Sequence, residues 1–453
     1  MAFPKEKIKK ILVIRPDAIG DLVLALPAIN ALRQHFPQAK ITALVQEYTA
    51  DLARNHPDID EVITDLDDIK KGAYDLGVDF YSFALRYPLK MLTAGIPYRV
   101  GDRSRLGLSL FYNWGTVLRY KDYSKHVVDL NLDLLKKLGI EGHDPKMTVP
   151  VIESAQAKIK EKFNALGISK QDYIVALHPG CGISLPWSTD KYVELCDTLS
   201  ENLGAKVILT GGPKEKQTGL DIVKNSKHKP YNFIGQTSLL ELIALIKEVN
   251  LFIGTDTGPS HLAAALKTPL IYMILCKNIK PVRWGPWNSN HICLYAHPGS
   301  ACPHLCRQRP CPHTYCADFM TVDQIVNAAR QLKSGKTPTS TKDWKKQSYN
   351  TLVITDQKNQ KEAEKTVARL KQQGFHALWK EAGKISLKQI FNLIEQENIL
   401  IIHHLGRRGY FTSRLASLLS GTLTSTATVF VHSRQQVQNP LELYEQTFKE
   451  TVI

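Results

Sequence analysis

Short apolar runs alternate with longer segments of helical periodicity along the first 330 residues. The first apolar run, residues 11–14, predicts a strand, which is followed by a turn and a helix from about residue 20 to residue 35. Further strands are predicted at residues 41–45, 61–64, 76–80 and 99–101, with helical stretches such as 129–138 between some of them. Strands that alternate with helices in this way are typical of a mostly parallel α/β sheet.

The same alternation begins again after a helical stretch at residues 155–166. Strands are predicted at residues 173–178, 205–210, 251–254 and 269–275, and helices at 191–203, 239–249, 260–266 and 322–332. We therefore expect two tandem α/β domains, at residues 1–150 and 151–333.

The composition changes after residue 333. Residues 334–346 are rich in Lys, Thr, Ser, Gly and Pro, as linkers are. Residues 347–453 are predicted to form a small α/β module of unknown role. Its predicted strands are 352–355, 399–402 and 427–432, and its predicted helices are 360–373 and 387–396.

Composition and charge favour a globular protein with anionic partners. The chain has 43% hydrophobic and 22% charged residues, which argues against a disordered, collagen-like or coiled-coil protein. A net charge of +15 favours nucleic acid, an acidic membrane surface or a phosphorylated substrate. No apolar stretch approaches the roughly 20 residues that span a bilayer, and the first apolar run is too short for a signal peptide, so we expect a cytoplasmic protein.

A glycine and an aspartate follow the first predicted strand. Gly20 allows a tight turn, and Asp21 lies where the helix starts. Asp21 is either a helix cap or a base that faces a cleft, because open α/β sheets bind ligands beyond the carboxyl ends of their strands. The turn has neither a Gly-x-Gly-x-x-Gly motif nor a Walker loop, which disfavours a nicotinamide or flavin dehydrogenase.

Two glycine-containing turns follow strands in the second half of the chain. Residues 178–184 read His-Pro-Gly-Cys-Gly-Ile-Ser, and residues 255–262 read Thr-Asp-Thr-Gly-Pro-Ser-His-Leu. Pro259 favours a helix start whose amides can face an anion. Each polar side chain alone is explained by helix capping or by a buried histidine. Together, at one edge of a parallel sheet and with the loop at residues 211–215 on its rim, they predict one pocket.

Residues 8–330 resemble glycosyltransferase family 9, the heptosyltransferases of the bacterial lipopolysaccharide inner core. The stretches that carry the resemblance are residues 19–21, 26–29, 94–101, 178–180 and 255–262. The resemblance implies a GT-B fold, in which two Rossmann-like domains with a cleft between them bind the acceptor (residues 1–150) and the nucleotide-sugar donor (residues 151–333). It also implies inverting transfer of a heptose or a related sugar from an ADP-sugar, with ADP-heptose as the expected donor and no cofactor required.

The resemblance assigns roles to individual residues. Asp21 matches the catalytic general base, a task that suits a carboxylate. Asp256 matches a contact to the donor sugar, and Thr257 and Gly258 match contacts to its diphosphate. The predicted donor-binding set is Asp256, Thr257, Gly258, His261, His178, Gly180, Gly182, Ser184, Glu215 and Thr237, the last two near the nucleoside, and the predicted acceptor-binding set is Arg15, Arg99, Arg103 and Arg105.

One residue departs from the family pattern. The family often follows the His-Pro-Gly turn with Lys-x-Trp-Pro, and Leu185 stands at the position of this phosphate-binding lysine. Either Arg15, Lys214 or Arg283 supplies the charge, or the protein has lost donor affinity or transfer activity. The alternatives are therefore a non-catalytic nucleotide-sugar or glycan-binding protein, a transferase for a different sugar, and a sugar epimerase on the same fold.

Basic residues are concentrated between Arg86 and Lys125. This segment contains eight basic residues and two aspartates, which gives it a local charge of +6. This segment is either an ordinary solvated surface or a site for the phosphates and acidic sugars of an anionic glycolipid acceptor. We expect a peripheral position on the inner face of the inner membrane. We expect no nucleic acid as partner, because no nucleic-acid-binding signature is present.

Half of the eight cysteines lie within fifteen residues: Cys302, Cys306, Cys311 and Cys316. Structural zinc sites usually have two closely spaced pairs separated by a longer insert, a pattern that differs from this one. We therefore predict free thiols or a disulfide that fastens a loop, and no metal, with zinc or an iron-sulfur cluster as the alternative. The other four cysteines are typical of reduced core thiols.

Overall fold

In a computed structural model, the described residues form three parallel sheets. The structure describes residues 3–81, 84–104, 107–118, 125–141, 144–182, 186–276, 281–295, 315–318, 320–335, 350–355, 376–381 and 399–405. The sheets have five, six and three strands. All their strand pairs are parallel, so the predicted α/β class is confirmed.

The first sheet is formed by β1 (Lys10–Ile14), β2 (Lys40–Leu44), β3 (Glu61–Ile63), β4 (Leu76–Asp79) and β5 (Tyr98–Val100). Its helices are α1 (Ile19–His35), α2 (Ala50–Arg54), α3 (Arg86–Thr93) and α4 (Val127–Leu135), with 3-10 turns at Lys5–Lys7, Glu47–Thr49, Leu66–Asp68, Leu108–Leu110 and Lys136–Leu138. The strand order is β3-β2-β1-β4-β5. Because the order reverses between β1 and β4, the loops after these two strands open a crevice at their carboxyl ends.

The second sheet is formed by β6 (Tyr173–His178), β7 (Ala205–Leu209), β8 (Tyr231–Asn232), β9 (Leu251–Thr255), β10 (Leu270–Ile274) and β11 (His291–Tyr295). Its helices are α5 (Glu153–Ala165), α6 (Thr189–Leu203), α7 (Lys216–Asn225), α8 (Leu239–Glu248), α9 (Gly258–Ala265), α10 (Pro281–Trp284), α11 (Tyr315–Asp318) and α12 (Val322–Lys333), with a 3-10 turn at Pro213–Glu215. The order β11-β10-β9-β6-β7-β8 reverses between β6 and β9. The two predicted glycine turns follow these two strands, so the reversal brings them together.

Apolar side chains fill both faces of the two large sheets. In β1 the residues from Ile11 to Ile14 have no exposed surface, as expected for a parallel strand covered by helices on both sides. Helix α1 is buried almost all round, from Leu22 to Leu32, because it packs on its own sheet and also contacts α4 and α9. This contact joins the two halves of the chain directly beside the strand-end crevices.

The third sheet contains β12 (Asn350–Thr355), β13 (His376–Glu381) and β14 (Ile399–Leu405), in the order β13-β12-β14. β12 and β14 were predicted from their apolar runs. β13 was not predicted, because charged residues end its short sequence. The predicted helices at residues 360–373 and 387–396 and the predicted strand at 427–432 lie outside the described residues. The domain boundaries at residues 150, 333 and 346 stay predictions.

None of the described helices is both long enough and apolar enough to pass through a membrane.

Candidate functional site

Asp21 lies in the first turn of α1, at the carboxyl edge of the first sheet. The helix cap is Ala18 and no side chain bonds to it, so Asp21 is not the cap residue that one interpretation suggested. Asp21 Oδ1 accepts a hydrogen bond from Arg15 Nη2 at 2.8 Å, and the Asp21 side chain is 27% exposed. Its other oxygen forms no hydrogen bond with a described residue. One oxygen thus fixes the carboxylate, and the other is open to a ligand.

Arg15 holds the loops that follow β1 and β4. Its side chain is buried, with 5% exposure. Nε donates to the Asp21 carbonyl at 3.1 Å, and Nη1 donates to the carbonyl of Phe80, the residue after β4. These contacts fix the Asp21 carboxylate relative to the loop that follows β4. The direct acceptor contact predicted for Arg15 stays a prediction.

A second carboxylate, that of Asp17, lies against the same guanidinium. Asp17 Oδ1 is 3.1 Å from Arg15 Nε, although this buried oxygen has no well-aligned hydrogen bond. Burial raises the pKa of Asp17 to about 7, and the charges of Asp21 and Asp79 add to the rise, while Arg15 opposes it. Asp17 therefore titrates near neutral pH. Sequence reasoning missed this residue, for which the only signal was its place in the turn after β1.

We expect Asp17→Asn to become more stable relative to the wild-type protein as the pH rises from about 5 to about 8. The pKa of Asp17 rises from 3.8 to about 7 on folding, so the folded protein binds this proton more tightly and loses stability as the pH passes through about 7. Asparagine does not titrate, and linkage limits the relative gain to about 3 kcal/mol. Urea unfolding across this pH range measures it, with the exposed Asp51→Asn as control. A difference that does not vary with pH would contradict the assignment.

The two glycine turns of the second sheet are in contact at the reversal between β6 and β9. A Cβ atom on Gly182, whose φ is +52°, would lie 3.2 Å from the Asp256 carbonyl oxygen. Thr255 Oγ1 donates to the Gly180 carbonyl at 2.6 Å. Glycine is favoured at residue 182 both by its backbone angle and by this close approach. The backbones of the two glycine turns therefore lie directly against each other.

Asp256 is held by side chains from β10 and α9. The Tyr272 hydroxyl donates to Asp256 Oδ1, and His261 Nε2 lies 3.6 Å from the same oxygen. The Asp256 side chain is 9% exposed. Burial, followed by the charge of Asp256, raises the pKa of Tyr272 well above its ordinary value, so the hydroxyl keeps its proton and remains a donor. Sequence reasoning missed Tyr272, whose only signal was a hydroxyl inside an otherwise apolar buried strand.

His178 and Glu215 lie beside the first glycine turn. Burial lowers the pKa of His178 to about 4, so its ring is neutral at physiological pH. Glu215 Oε2 accepts from the Gly212 amide at 2.8 Å, and its Oε1 would lie 3.4 Å from a Cβ atom on Gly180. Thr237 lies in the loop before α8 and has no hydrogen bond to these residues among those described. The predicted nucleoside role of Glu215 and Thr237 stays a prediction.

The first turns of α1 and α9 touch each other across the two halves of the chain. A Cβ atom on Gly20 would lie 2.8 Å from His261 Cδ2, and one on Gly258 would lie 2.8 Å from Ile19 Cβ. Asp21 follows Gly20, and His261 contacts Asp256. The structure therefore brings the two carboxylates predicted on opposite sides of a cleft to adjoining surfaces.

The remaining predicted residues lie elsewhere or outside the described residues. Arg99 is half-buried, and its Nε donates to the Phe111 carbonyl at 2.8 Å, while Arg103 is exposed. Ser184, Leu185 and Arg105 lie outside the described residues. The acceptor-binding roles of the three arginines stay predictions.

The four clustered cysteines were predicted to be free thiols or a disulfide. Cys302, Cys306 and Cys311 lie outside the described residues, as does the side chain of Cys316, although its backbone is in α11. The described part of the chain contains no group of three His, Cys, Asp or Glu side chains arranged to hold a metal ion. The cysteines at residues 181, 196, 276 and 293 are free thiols.

Known proteins share this fold and sequence pattern. The sequence profile described as Glycosyltransferase family 9 (heptosyltransferase) matches residues 69–314. Lipopolysaccharide heptosyltransferase 3 of Escherichia coli (strain K12) is 28% identical over 299 residues, 61% of this chain and 85% of that protein. The crystal structure of the glycosyl transferase family 9 from Veillonella parvula DSM 2008 has a TM-score of 0.63 and 21% identity, covering 72% of this chain and 97% of its own. The structure of E. coli ADP-heptose LPS heptosyltransferase II has a TM-score of 0.59 and 22% identity, covering 72% and 99%. These likenesses confirm the predicted GT-B fold.

Proposed function

Because the chain belongs to glycosyltransferase family 9, the heptosyltransferase family, and is a glycosyltransferase, we propose that it transfers a heptose from ADP-heptose to a lipopolysaccharide inner-core acceptor. The transfer inverts the anomeric carbon of the heptose. Support for the donor comes from E. coli ADP-heptose LPS heptosyltransferase II, whose name includes this sugar nucleotide. Support for the acceptor class comes from the lipopolysaccharide heptosyltransferase that shares 28% of its residues with the matched part of this chain.

One observation carries the proposal. The first turns of α1 and α9 meet through Gly20 and His261. The Asp21 carboxylate, which has one open oxygen, therefore lies beside the point where the strand order of the second sheet reverses. A GT-B transferase needs this arrangement, because the acceptor hydroxyl and the anomeric carbon of the donor sugar must meet at the boundary between the two Rossmann-like domains.

Asp21 is the general base in this proposal. Its open oxygen accepts the proton of the acceptor hydroxyl while the hydroxyl oxygen bonds to the anomeric carbon on the face opposite the leaving group. The bond from that carbon to the diphosphate breaks, and ADP leaves with the electron pair. The Arg15 guanidinium, 2.8 Å from the other oxygen, keeps Asp21 oriented. Arg99, Arg103 and Arg105 are assigned to the acceptor phosphates and acidic sugars.

Asp256 and the start of α9 hold the donor. The Tyr272 hydroxyl fixes one oxygen of Asp256, which leaves the other for a hydroxyl of the sugar. The amides of residues 260 and 261 bond to the Thr257 carbonyl, and Pro259 has no N–H. The amides of Thr257 and Gly258 are therefore assigned to the diphosphate, where the helix dipole also favours negative charge.

The charge that the family lysine would supply is assigned to Lys214. Of the three candidates, Arg15 is committed to Asp21 and Asp17, and Arg283 is buried. Lys214 is exposed in the 3-10 turn next to Glu215, which itself approaches the first glycine turn. A flexible lysine at this edge can reach a donor phosphate.

The test is turnover of defined substrates by the purified full chain. With ADP-heptose and a deacylated inner-core acceptor, we expect release of ADP and an acceptor that is heavier by one heptose. Donor binding without turnover on any inner-core acceptor would replace the proposal with a non-catalytic binding protein. Product formed only with another nucleotide sugar would change the sugar, and conversion of a nucleotide sugar without acceptor would indicate an epimerase.

A further inference from the structure

One exposed aromatic side chain lies next to the proposed base. Eight large apolar side chains are exposed in the described part of the chain, and Tyr48, at 58% exposure, is the only aromatic one among them. The other seven are leucines and a valine. A single exposed apolar residue is normal on a protein surface, so the position of Tyr48 and its contacts decide whether it has a function.

The hydroxyl of Tyr48 is bonded to the loop between β1 and α1. Tyr48 lies in the 3-10 turn after β2, and its hydroxyl donates to the Asp17 carbonyl at 3.2 Å. Burial, followed by the charges of Asp17 and Asp21, raises the pKa of the phenol. The hydroxyl end of the side chain is therefore partly covered and close to both carboxylates, so the exposure of Tyr48 belongs mainly to its ring.

Two further hydrogen bonds hold the turn that carries Tyr48. Gln46 Nε2 donates to the carbonyl of Pro16, the residue before Asp17, at 2.8 Å. Thr49 has no exposed surface, and its Oγ1 donates to the Gln46 carbonyl at 2.9 Å. The aromatic ring is thus held at its hydroxyl and at its backbone. A side chain that is fixed in this way loses little conformational entropy when it binds a ligand.

The Tyr48 ring and the proposed base lie at the same edge of the first sheet. Because β1 and β2 are parallel neighbours, the loops that follow them lie side by side at the carboxyl edge. Asp21 follows β1, is 27% exposed, and its charge acts on the Tyr48 hydroxyl. A ligand whose hydroxyl meets the Asp21 carboxylate therefore has the Tyr48 ring beside it.

The residues already assigned leave one part of an acceptor without a partner. Asp21 takes the proton of the reacting hydroxyl, and the three arginines take phosphates and acidic groups, but none of them holds the ring of the sugar. A pyranose ring has hydroxyls around its edge and C–H groups on its faces, and such an apolar face packs against an aromatic ring. A fixed and exposed aromatic ring beside the base supplies this contact.

We propose that the Tyr48 ring is the stacking surface for the acceptor sugar that carries the attacking hydroxyl. This inference rests on the proposed function for the class of acceptor, and it adds the residue that orients the pyranose ring. The C–H face of the sugar packs on the aromatic ring, which directs a hydroxyl at the edge of the sugar to the open oxygen of Asp21. Tyr48 binds the acceptor and takes no proton from it.

Calorimetric binding of a deacylated inner-core acceptor to the purified full chain, together with steady-state kinetics, tests this contact. We expect Tyr48→Ala to weaken acceptor binding and to raise the acceptor KM about tenfold, because one aromatic stacking contact is lost. Affinity for ADP-heptose should stay the same. Tyr48→Phe keeps the ring and loses the hydrogen bond to the Asp17 carbonyl, so its acceptor affinity should stay within about threefold of the wild-type value.

Leu166→Ala is the matched control. It also shortens an exposed apolar side chain, since Leu166 is 44% exposed. Leu166 ends α5, which leads into β6, so it lies at the amino edge of the second sheet, opposite the glycine turns. Its acceptor and donor affinities should equal those of the wild-type chain.

The two Tyr48 variants separate the ring from the hydroxyl. Equal losses of acceptor affinity in Tyr48→Phe and Tyr48→Ala would assign the effect to the hydrogen bond and overturn the stacking contact. So would wild-type acceptor affinity in Tyr48→Ala, a parallel loss of its donor affinity, or a wild-type chain that binds no acceptor. A tenfold loss confined to Tyr48→Ala, with no turnover by the wild-type chain, would support the stacking contact and reject the proposed transfer.

Discussion

Asp21→Asn is expected to lower kcat by about 100-fold to 10,000-fold, the range that a general base contributes. Asparagine keeps the size of the side chain and an oxygen that can accept the Arg15 hydrogen bond, which is 2.8 Å long in the wild-type protein. It cannot take the proton of the acceptor hydroxyl. Because the donor residues lie on the second sheet, affinity for ADP-heptose should be unchanged.

Single-turnover kinetics and calorimetric donor binding measure these two expectations separately. Asp51→Asn, an exposed aspartate in α2 that pairs with Arg54, is the control for loss of a carboxylate in the same half of the chain. A variant that keeps most of its transfer rate would exclude Asp21 as the base. Asp17 would then be the next candidate, since its carboxyl lies on the same guanidinium. Loss of donor binding together with rate would instead indicate a structural role.

The sequence predicted the placement of the site because parallel sheets have strict topology. Apolar runs such as residues 11–14 and 251–254 are long enough to be strands and too short to be buried helices. Once they are parallel strands, every polar turn after them lies at one edge. Asp21, Gly182 and Asp256 could therefore be assigned to strand-end turns from local pattern alone.

The contacts that tune these residues could not be predicted. Tyr272 is sixteen residues from Asp256 along the chain, and the pairing of β9 with β10 brings its hydroxyl to the carboxylate. The rise in the pKa of Asp17 depends on its burial and on the nearby charges of Asp21 and Asp79. Sequence periodicity reports which face of an element is apolar, whereas these effects depend on which elements become neighbours.

The contact between α1 and α9 has the same origin, and it gives the second large expected effect. A Cβ atom on Gly258 would lie 2.8 Å from Ile19 Cβ and 3.1 Å from the Gly20 backbone nitrogen. Since neither atom can rotate away, Gly258→Ala must separate the first turns of the two helices. Overpacking of this kind costs about 1–3 kcal/mol. A displacement of about 1 Å between reacting groups can lower a rate about 100-fold.

We therefore expect Gly258→Ala to lower kcat/KM by about 10-fold to 100-fold and to lower the melting temperature. Gly219→Ala in α7 is the matched control for overpacking, because its Cβ atom would meet the Ile234 side chain outside the contact between α1 and α9, so it should lower the melting temperature and leave the rate unchanged. Ile19→Gly removes the closest opposing atom, so the double variant should regain part of the rate, which a double-mutant cycle measures as coupling. Full activity in Gly258→Ala would show that the two helix starts separate during catalysis. Asp21 and the donor would then have to come together through a different relative movement of the two sheets.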